Sequence, residues 1–121
     1  MSDLSGKVFI VTGGESGIGQ AIAMRAVRDG ANIVIAGINT EGLDDTVASV
    51  SDLAGNCVAI PTDVTEPDQV KAMVDGTLQK FGRIDGAVAN AGAFVKQTSF
   101  AEMSLDDWNR VVAVNLTGVF L

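Results

Sequence analysis

Between an apolar run, Val8-Phe9-Ile10-Val11, and a helix-like run, Gln20-Ala21-Ile22-Ala23-Met24-Arg25, stands Thr12-Gly13-Gly14-Glu15-Ser16-Gly17-Ile18-Gly19. A buried strand, a glycine-rich turn and a helix, in that order, form a phosphate-binding device. Glycines let the backbone turn tightly and let an anion approach with no Cβ in the way. The helix start adds unpaired N–H groups and a partial positive charge. Gly13, Gly17 and Gly19 are therefore candidate cofactor-binding residues. Ser16 and Ile18 would add backbone N–H groups, and Ser16 a hydroxyl. Glu15 is an unexpected neighbour for a diphosphate, and its carboxylate is predicted to point to solvent. The rival anion cradle, the P-loop, needs Gly-Lys-Ser/Thr at the helix start. Gly19-Gln20-Ala21 excludes it here.

The rest of the chain repeats the alternation. Lys7 to Val11 reads as a first strand, Gly17 to about Asp29 as a helix stopped by Gly30, and Asn32 to Ala36 as a second strand bounded by Gly37. Thr40 to about Leu53 reads as a second helix and Cys57 to Pro61 as a third strand. Thr65 and Asp68, spaced as a capping box around Pro67, predict the start of a third helix. Its apolar stripe is Val70, Met73, Val74, Leu78 and Phe81, and Gly82 ends it. Ile84 to Ala89 reads as a fourth strand. Ser104 and Asp107 form a second capping box ahead of a last helix, with Leu105, Trp108, Val112, Leu116 and Val119 on its stripe. Several strands are almost wholly apolar, as expected when helices cover both faces of a parallel sheet. The chain therefore reads as one α/β domain over residues 1–121, a doubly wound, Rossmann-like parallel sheet of expected order 3-2-1-4. Ligands bind such sheets where the strand order reverses.

Composition narrows the chemistry. The chain has no histidine and a single cysteine, Cys57, which excludes histidine-ligated metal and leaves the cysteine as a small buried hydrophobe. No metal site is expected. Fifteen acids stand against eight scattered bases, so no basic stripe is available to follow a nucleic acid. No apolar run approaches the roughly 18 residues of a membrane span. Met1 to Gly6 lacks the basic and apolar regions of a signal peptide, and a cytoplasmic location is expected.

The spacing Gly13, Gly17, Gly19 is G-x-x-x-G-x-G. Headed by Thr12, it resembles the short-chain dehydrogenase/reductase family. Thr62-Asp63-Val64 after the third strand, Asn90-Ala91-Gly92 after the fourth, and Val114-Asn115-Leu116 in the last helix agree with that family in order and spacing. Ala89 stands where the family often has a further asparagine. The resemblance implies an NAD(P)-dependent oxidoreductase, moving hydride between a nicotinamide and a small carbonyl or alcohol substrate. It implies that Asp63 accepts from the adenine amine, with Val64 supplying backbone polarity beside it. It implies that Asn90 ties strand ends and lines the ribose, with Gly92 on the same segment. It implies that Asn115 is catalytic, holding a water that links a lysine to a proton path. Asp63 also reads as a local turn acceptor. Asn115, a buried amide, needs a partner in backbone or water.

Family members are about twice as long, and their catalytic tyrosine and lysine lie beyond Leu121; the 121 residues contain no tyrosine at all. The expectation is a cofactor-binding half, inactive alone. The alternatives are a non-catalytic truncated fragment that binds a dinucleotide weakly, and a scaffold that completes its sheet with another chain. An NAD enzyme places an acid at the end of the second strand. Gly37 stands there, but no lysine or arginine occupies Ser16 or Ile38 to meet a 2′-phosphate, so NAD is favoured over NADP. The edge of the fourth strand and the apolar face of the last helix predict a homo-oligomer.

Overall fold

The computed structural model describes residues 3–96 and 99–121. Four parallel strands form one sheet in the order β3-β2-β1-β4. They are β1 (Val8–Thr12), β2 (Asn32–Gly37), β3 (Asn56–Pro61) and β4 (Gly86–Val88). Between them run α1 (Gly17–Arg28), α2 (Thr40–Ser49) and α3 (Pro67–Phe81). After β4 come a short 3-10 turn (Phe100–Glu102), α4 (Leu105–Val112), a π-helical turn (Ala113–Thr117) and α5 (Gly118–Phe120). The doubly wound architecture and the strand order expected from the alternation are both present.

Strand β2 shows why the sheet must be covered twice. Ile33, Val34, Ile35 and Ala36 are all fully buried. Successive side chains point to opposite faces, so Ile33 and Ile35 pack with Ala23 and Val27 of α1 and Leu43 of α2. Val34 and Ala36 join Ile10 and Met73, the latter from α3, in a second core. Each fully buried Val or Ile contributes about 1.5–3 kcal/mol. A polar residue anywhere in 33–36 would therefore be destabilising whichever face it met.

Local chemistry moved several boundaries. Strand β1 begins at Val8, one residue after the Lys7 expected from the sequence, and takes in Thr12, which pairs with Ala36. Strand β4 is shorter than the run Ile84 to Ala89. Among the described residues it has one neighbour, β1, in register only from Phe9↔Gly86 to Val11↔Val88. Helix α2 ends at Ser49, because Ser51 and Leu53 turn back onto the carbonyls of Ala48 and Val50. The Thr65–Asp68 capping box does not form. The Thr65 hydroxyl donates to Asp63 Oδ1 at 2.7 Å instead, Glu66 becomes the N-cap, and Pro67 opens the helix. A local carboxylate turn out-competes the cap. The second box is half made: Asp107 N–H donates to Ser104 Oγ at 3.1 Å. Gly82, at φ +77°, closes α3 with its N–H on the Leu78 carbonyl. Among the described residues no helix is long and apolar enough to cross a membrane.

Candidate functional site

The carboxyl ends of β1 and β4 diverge into a cleft of about 1100 Å³, at the point where the strand order reverses. Its floor is the turn from Gly13 to Ile18; Gly37 and Ile38 form one wall, Thr62 to Thr65 another, and Asn90 to Phe94 with α4 a third. Of the sequence-predicted residues, Gly13, Ser16, Gly17, Ile18, Asp63, Val64, Asn90 and Gly92 all line it. Gly19 and Asn115 do not.

The turn is held from behind. Gly13 N–H donates to the Ala36 carbonyl at 2.7 Å, which ties the start of the turn to β2. The N–H groups of Asn90 and Ala91 both donate to Thr12 Oγ1 at 3.0 Å, and Asn90 Nδ2 donates to the Thr12 carbonyl at 3.0 Å. Asn90 therefore locks the ends of β1 and β4 together, as its polar position between two alanines suggested. Gly19 sits beneath this lock: a Cβ there would overlap the Gly13 carbonyl and reach within 2.5 Å of Asn90 Nδ2. The position has no room for a side chain. Gly17 is the opposite case. Its φ is +54° and nothing stands within 4 Å of where a Cβ would be, so a side chain there would enter open cleft. Helix α1 starts here with Ser16 as an extended N-cap that makes no side-chain cap, and with no acid in its first turn. The first turn of α1 therefore has no side-chain cap from Ser16 on its N–H groups.

Thr46 was not singled out from the sequence. Its fully buried Oγ1 lies 3.1 Å from the Gly14 carbonyl and accepts from Gln20 Nε2 at 3.0 Å. It fastens α2 to the back of the glycine turn. The available signal was a lone hydroxyl among Leu43, Val47 and Val50, the apolar face of α2.

Asp63 is a turn acceptor: Oδ1 receives both the N–H and the hydroxyl of Thr65, at 2.9 and 2.7 Å. Its carboxylate still borders the cleft. Asn115 falls in the π-helical turn, not in a continuous helix, and is exposed. Both ends of its carboxamide are engaged by one residue. Ala93 N–H donates to Oδ1 and Nδ2 donates to the Ala93 carbonyl, each at 2.7 Å. Arg110 Nη2 donates to the Phe94 carbonyl at 3.1 Å, so α4 grips the loop that edges the cleft. Glu15 does not point to solvent as its place in the turn suggested. Its carboxylate folds over Gly37 and accepts from Asn39 N–H at 3.3 Å. Among the described residues no group of acids, cysteines or histidines could hold a metal ion.

A model of the short chain dehydrogenase family matches residues 7–121. The chain belongs to the short-chain dehydrogenase/reductase family. Glucose 1-dehydrogenase 2 of Bacillus subtilis is 39% identical over 98% of this chain and 46% of its own length. The 2,5-dichloro-2,5-cyclohexadiene-1,4-diol dehydrogenase of Sphingobium indicum is 42% identical over all of this chain and 47% of its own. Among solved structures, 3-ketoacyl-(acyl-carrier-protein) reductase from Brucella melitensis, in complex with NADH, superposes with a TM-score of 0.92 and 34% identity. That match covers 98% of this chain and 48% of the other. The chain thus spans about half the length of the short-chain dehydrogenase/reductase relatives it matches. The motifs at Gly13–Gly19, Asp63, Asn90 and Asn115, read first as linear spacing, converge on one end of the sheet.

Proposed function

We propose that this stretch binds a nicotinamide dinucleotide and presents it for hydride transfer to or from a carbonyl or alcohol carbon of a small molecule. The observation that carries the reading is the open space at Gly17. A left-handed glycine at a helix start, with no atom where its Cβ would be and a large cleft in front, is a cradle that any side chain would fill. The cofactor supplies the redox chemistry when bound. The residues of this chain bind and orient. The N–H groups of Ser16, Gly17 and Ile18 hold the diphosphate, and Gly13 and Gly19 allow the turn and helix to close behind it. Asp63, with the backbone of Val64, receives the adenine end, and the Asn90–Gly92 backbone lines the ribose.

Asn115 enters through position. Holding both backbone groups of Ala93, it fixes the cleft edge one residue beyond Gly92. Its assignment to the catalytic step rests on the family resemblance, which gives proton transfer to a tyrosine assisted by a lysine. With no tyrosine among the 121 residues, the proposal for this stretch stops at binding and orientation. A reading as a purely non-catalytic binding fragment makes the same prediction for binding and differs only in turnover.

NAD is the proposed cofactor over NADP. Arg110 is the one base among the residues that line the cleft, and it is held on the Phe94 carbonyl. The end of β2 offers Gly37 and Ile38, with no cation for a 2′-phosphate.

Calorimetric titration of the purified protein, as its gene encodes it, with NAD, NADH and NADP tests the reading. Saturable binding with NAD ahead of NADP is expected. No saturation by any of them at millimolar concentration would refute it.

A further inference from the structure

Gly37 ends β2 twenty residues after Gly17. Dinucleotide-binding folds put an acid about this far along, where it accepts hydrogen bonds from the ribose 2′-hydroxyl. By linear sequence the acid is missing. In space it is not. A Cβ built on Gly37 would overlap Oε2 of Glu15 and lie 2.5 Å from its Cδ and 2.6 Å from its Oε1. The carboxylate of Glu15 therefore occupies the volume in which a side chain at position 37 would begin.

One hydrogen bond holds it there, and the start of α2 supports that bond. Asn39 N–H donates to Oε2 at 3.3 Å. Asn39 is itself fixed as the N-cap of α2, its side chain accepting from Gly42 N–H at 3.1 Å. A Cβ on Gly42 would stand only 3.0 Å from the Cβ and carbonyl oxygen of Glu15, so the first turn of α2 leaves just enough room for the Glu15 backbone. The start of α2 also favours negative charge beside it. Meanwhile Glu15, Gly37 and Ile38 all border the cleft. An ionised carboxylate offers about four lone-pair sites. Asn39 uses one, and acceptors remain for ribose hydroxyls.

We propose that Glu15, reaching across from the glycine-rich turn, replaces the acid absent from the end of β2, accepting from the adenosine ribose 2′-hydroxyl and repelling a 2′-phosphate. The glycine at position 37 is then a requirement of the arrangement, since any side chain there displaces the carboxylate. The acid of one element has been exchanged for the acid of another, with the charge kept in place. This inference rests on the proposed dinucleotide binding and adds the residue that selects between its two forms.

The test measures dissociation constants by calorimetry for four probes: NAD, NADP, ADP-ribose and 2′-phospho-ADP-ribose. The proteins are the wild type, Glu15→Gln, and Glu15→Ser combined with Gly37→Asp, each with a thermal melt to confirm folding. The wild type is expected to prefer the non-phosphorylated member of each pair at least tenfold. Glu15→Gln keeps the side chain's shape and its contact with Asn39 but removes the charge. It is expected to shrink that preference tenfold or more. The double variant returns an acid to the end of β2 and is expected to restore it. A Glu15 that only anchors α2 would lower the melting temperature and weaken all four probes equally, leaving the ratio within twofold of wild type. That result overturns the proposal, as does a wild type that prefers the 2′-phosphorylated probes. Failure of the wild type to bind any probe is a different result: it removes the dinucleotide reading itself and this inference with it.

Discussion

Exchanging Gly17 for alanine separates what the fold asks of this position from what a ligand asks of it. The backbone there is left-handed, at φ +54°, and no heavy atom lies within 4 Å of the added methyl. The penalty in the folded state is therefore one of backbone conformation alone, about 1–2 kcal/mol. For a domain of this size that lowers the Tm by roughly 4 °C per kcal/mol, so about 4–8 °C. Gly82 supplies a matched control. Its φ is +77° and its surroundings are equally empty, but it closes the far end of the fifteen-residue α3, about 22 Å along the helix from the end near the cleft. Gly82→Ala should lower the Tm by a similar amount.

The two variants part company on ligand. The methyl at position 17 stands in front of the N–H groups that open α1. Loss of a charge-assisted hydrogen bond there costs about 1.5–3 kcal/mol, which is roughly a 10- to 150-fold rise in Kd. Calorimetric titration of NAD into wild type, Gly17→Ala and Gly82→Ala, paired with thermal melts, reads both quantities. Equal destabilisation with an affinity loss confined to Gly17→Ala is expected. If Gly17→Ala melts like Gly82→Ala yet binds NAD within twofold of wild type, the turn is only a turn, and the anion-cradle argument is wrong.

Asn115→Ala should lower the Tm by about 4 °C, since exposed hydrogen bonds are partly replaced by water and two of them together contribute about 1 kcal/mol. Amide hydrogen exchange at Ala93 should accelerate with it, and unchanged exchange would show that the carboxamide is idle. Asp85 has its pKa lowered, first by the Arg83 guanidinium and then by the Val8 N–H it accepts from at 2.8 Å. Its stabilising contribution is thus present above the ordinary carboxylate value and disappears as pH falls through the lower folded value. The Tm gap between wild type and Asp85→Asn should narrow as pH falls below the ordinary carboxylate value, and a gap that stays constant down to the acid unfolding transition would contradict the assignment. Burial pushes the Cys57 thiol up to about 11. Half-buried on β3 and not fully buried as its apolar surroundings suggested, it should react more slowly with a thiol-specific disulfide reagent at pH 8 in the native protein than after denaturation; equal rates would refute its shielding. Residues 1–121 expressed by themselves should self-associate at micromolar concentration, because β4 has one strand neighbour and Trp108, Leu116, Val119 and Phe120 are exposed. A sharp monomer in sedimentation would count against this.

The sequence by itself determined the class of fold and the place of the cleft. Runs such as Ile33-Val34-Ile35-Ala36 have no polar face, and only a sheet covered on both sides accommodates that. Parallel strands and right-handed crossovers leave few orders, and the expected 3-2-1-4, with its switch point, is the one found. Gly13, Gly17, Asp63 and Asn90 were legible because each sits at a strand end, where chain direction alone sends it to the same edge. Only the tertiary structure decided what these residues do to one another. Nothing in linear spacing says that a side chain at Gly19 would strike Asn90 while one at Gly17 would meet open space, because both are simply glycines in a turn. The Thr65–Asp68 spacing suggested a cap, yet Asp63 stood two residues away with a stronger local acceptor. Asn115 was known to need a partner, but a π-helical turn 22 residues from Ala93 had to form before the partner could be named. Glu15 is the clearest case. It lies 24 residues from the Asn39 whose N–H it accepts, on a different element. Backbone periodicity carries information over a turn or a strand; it does not say whose carboxylate fills the space that a missing side chain leaves.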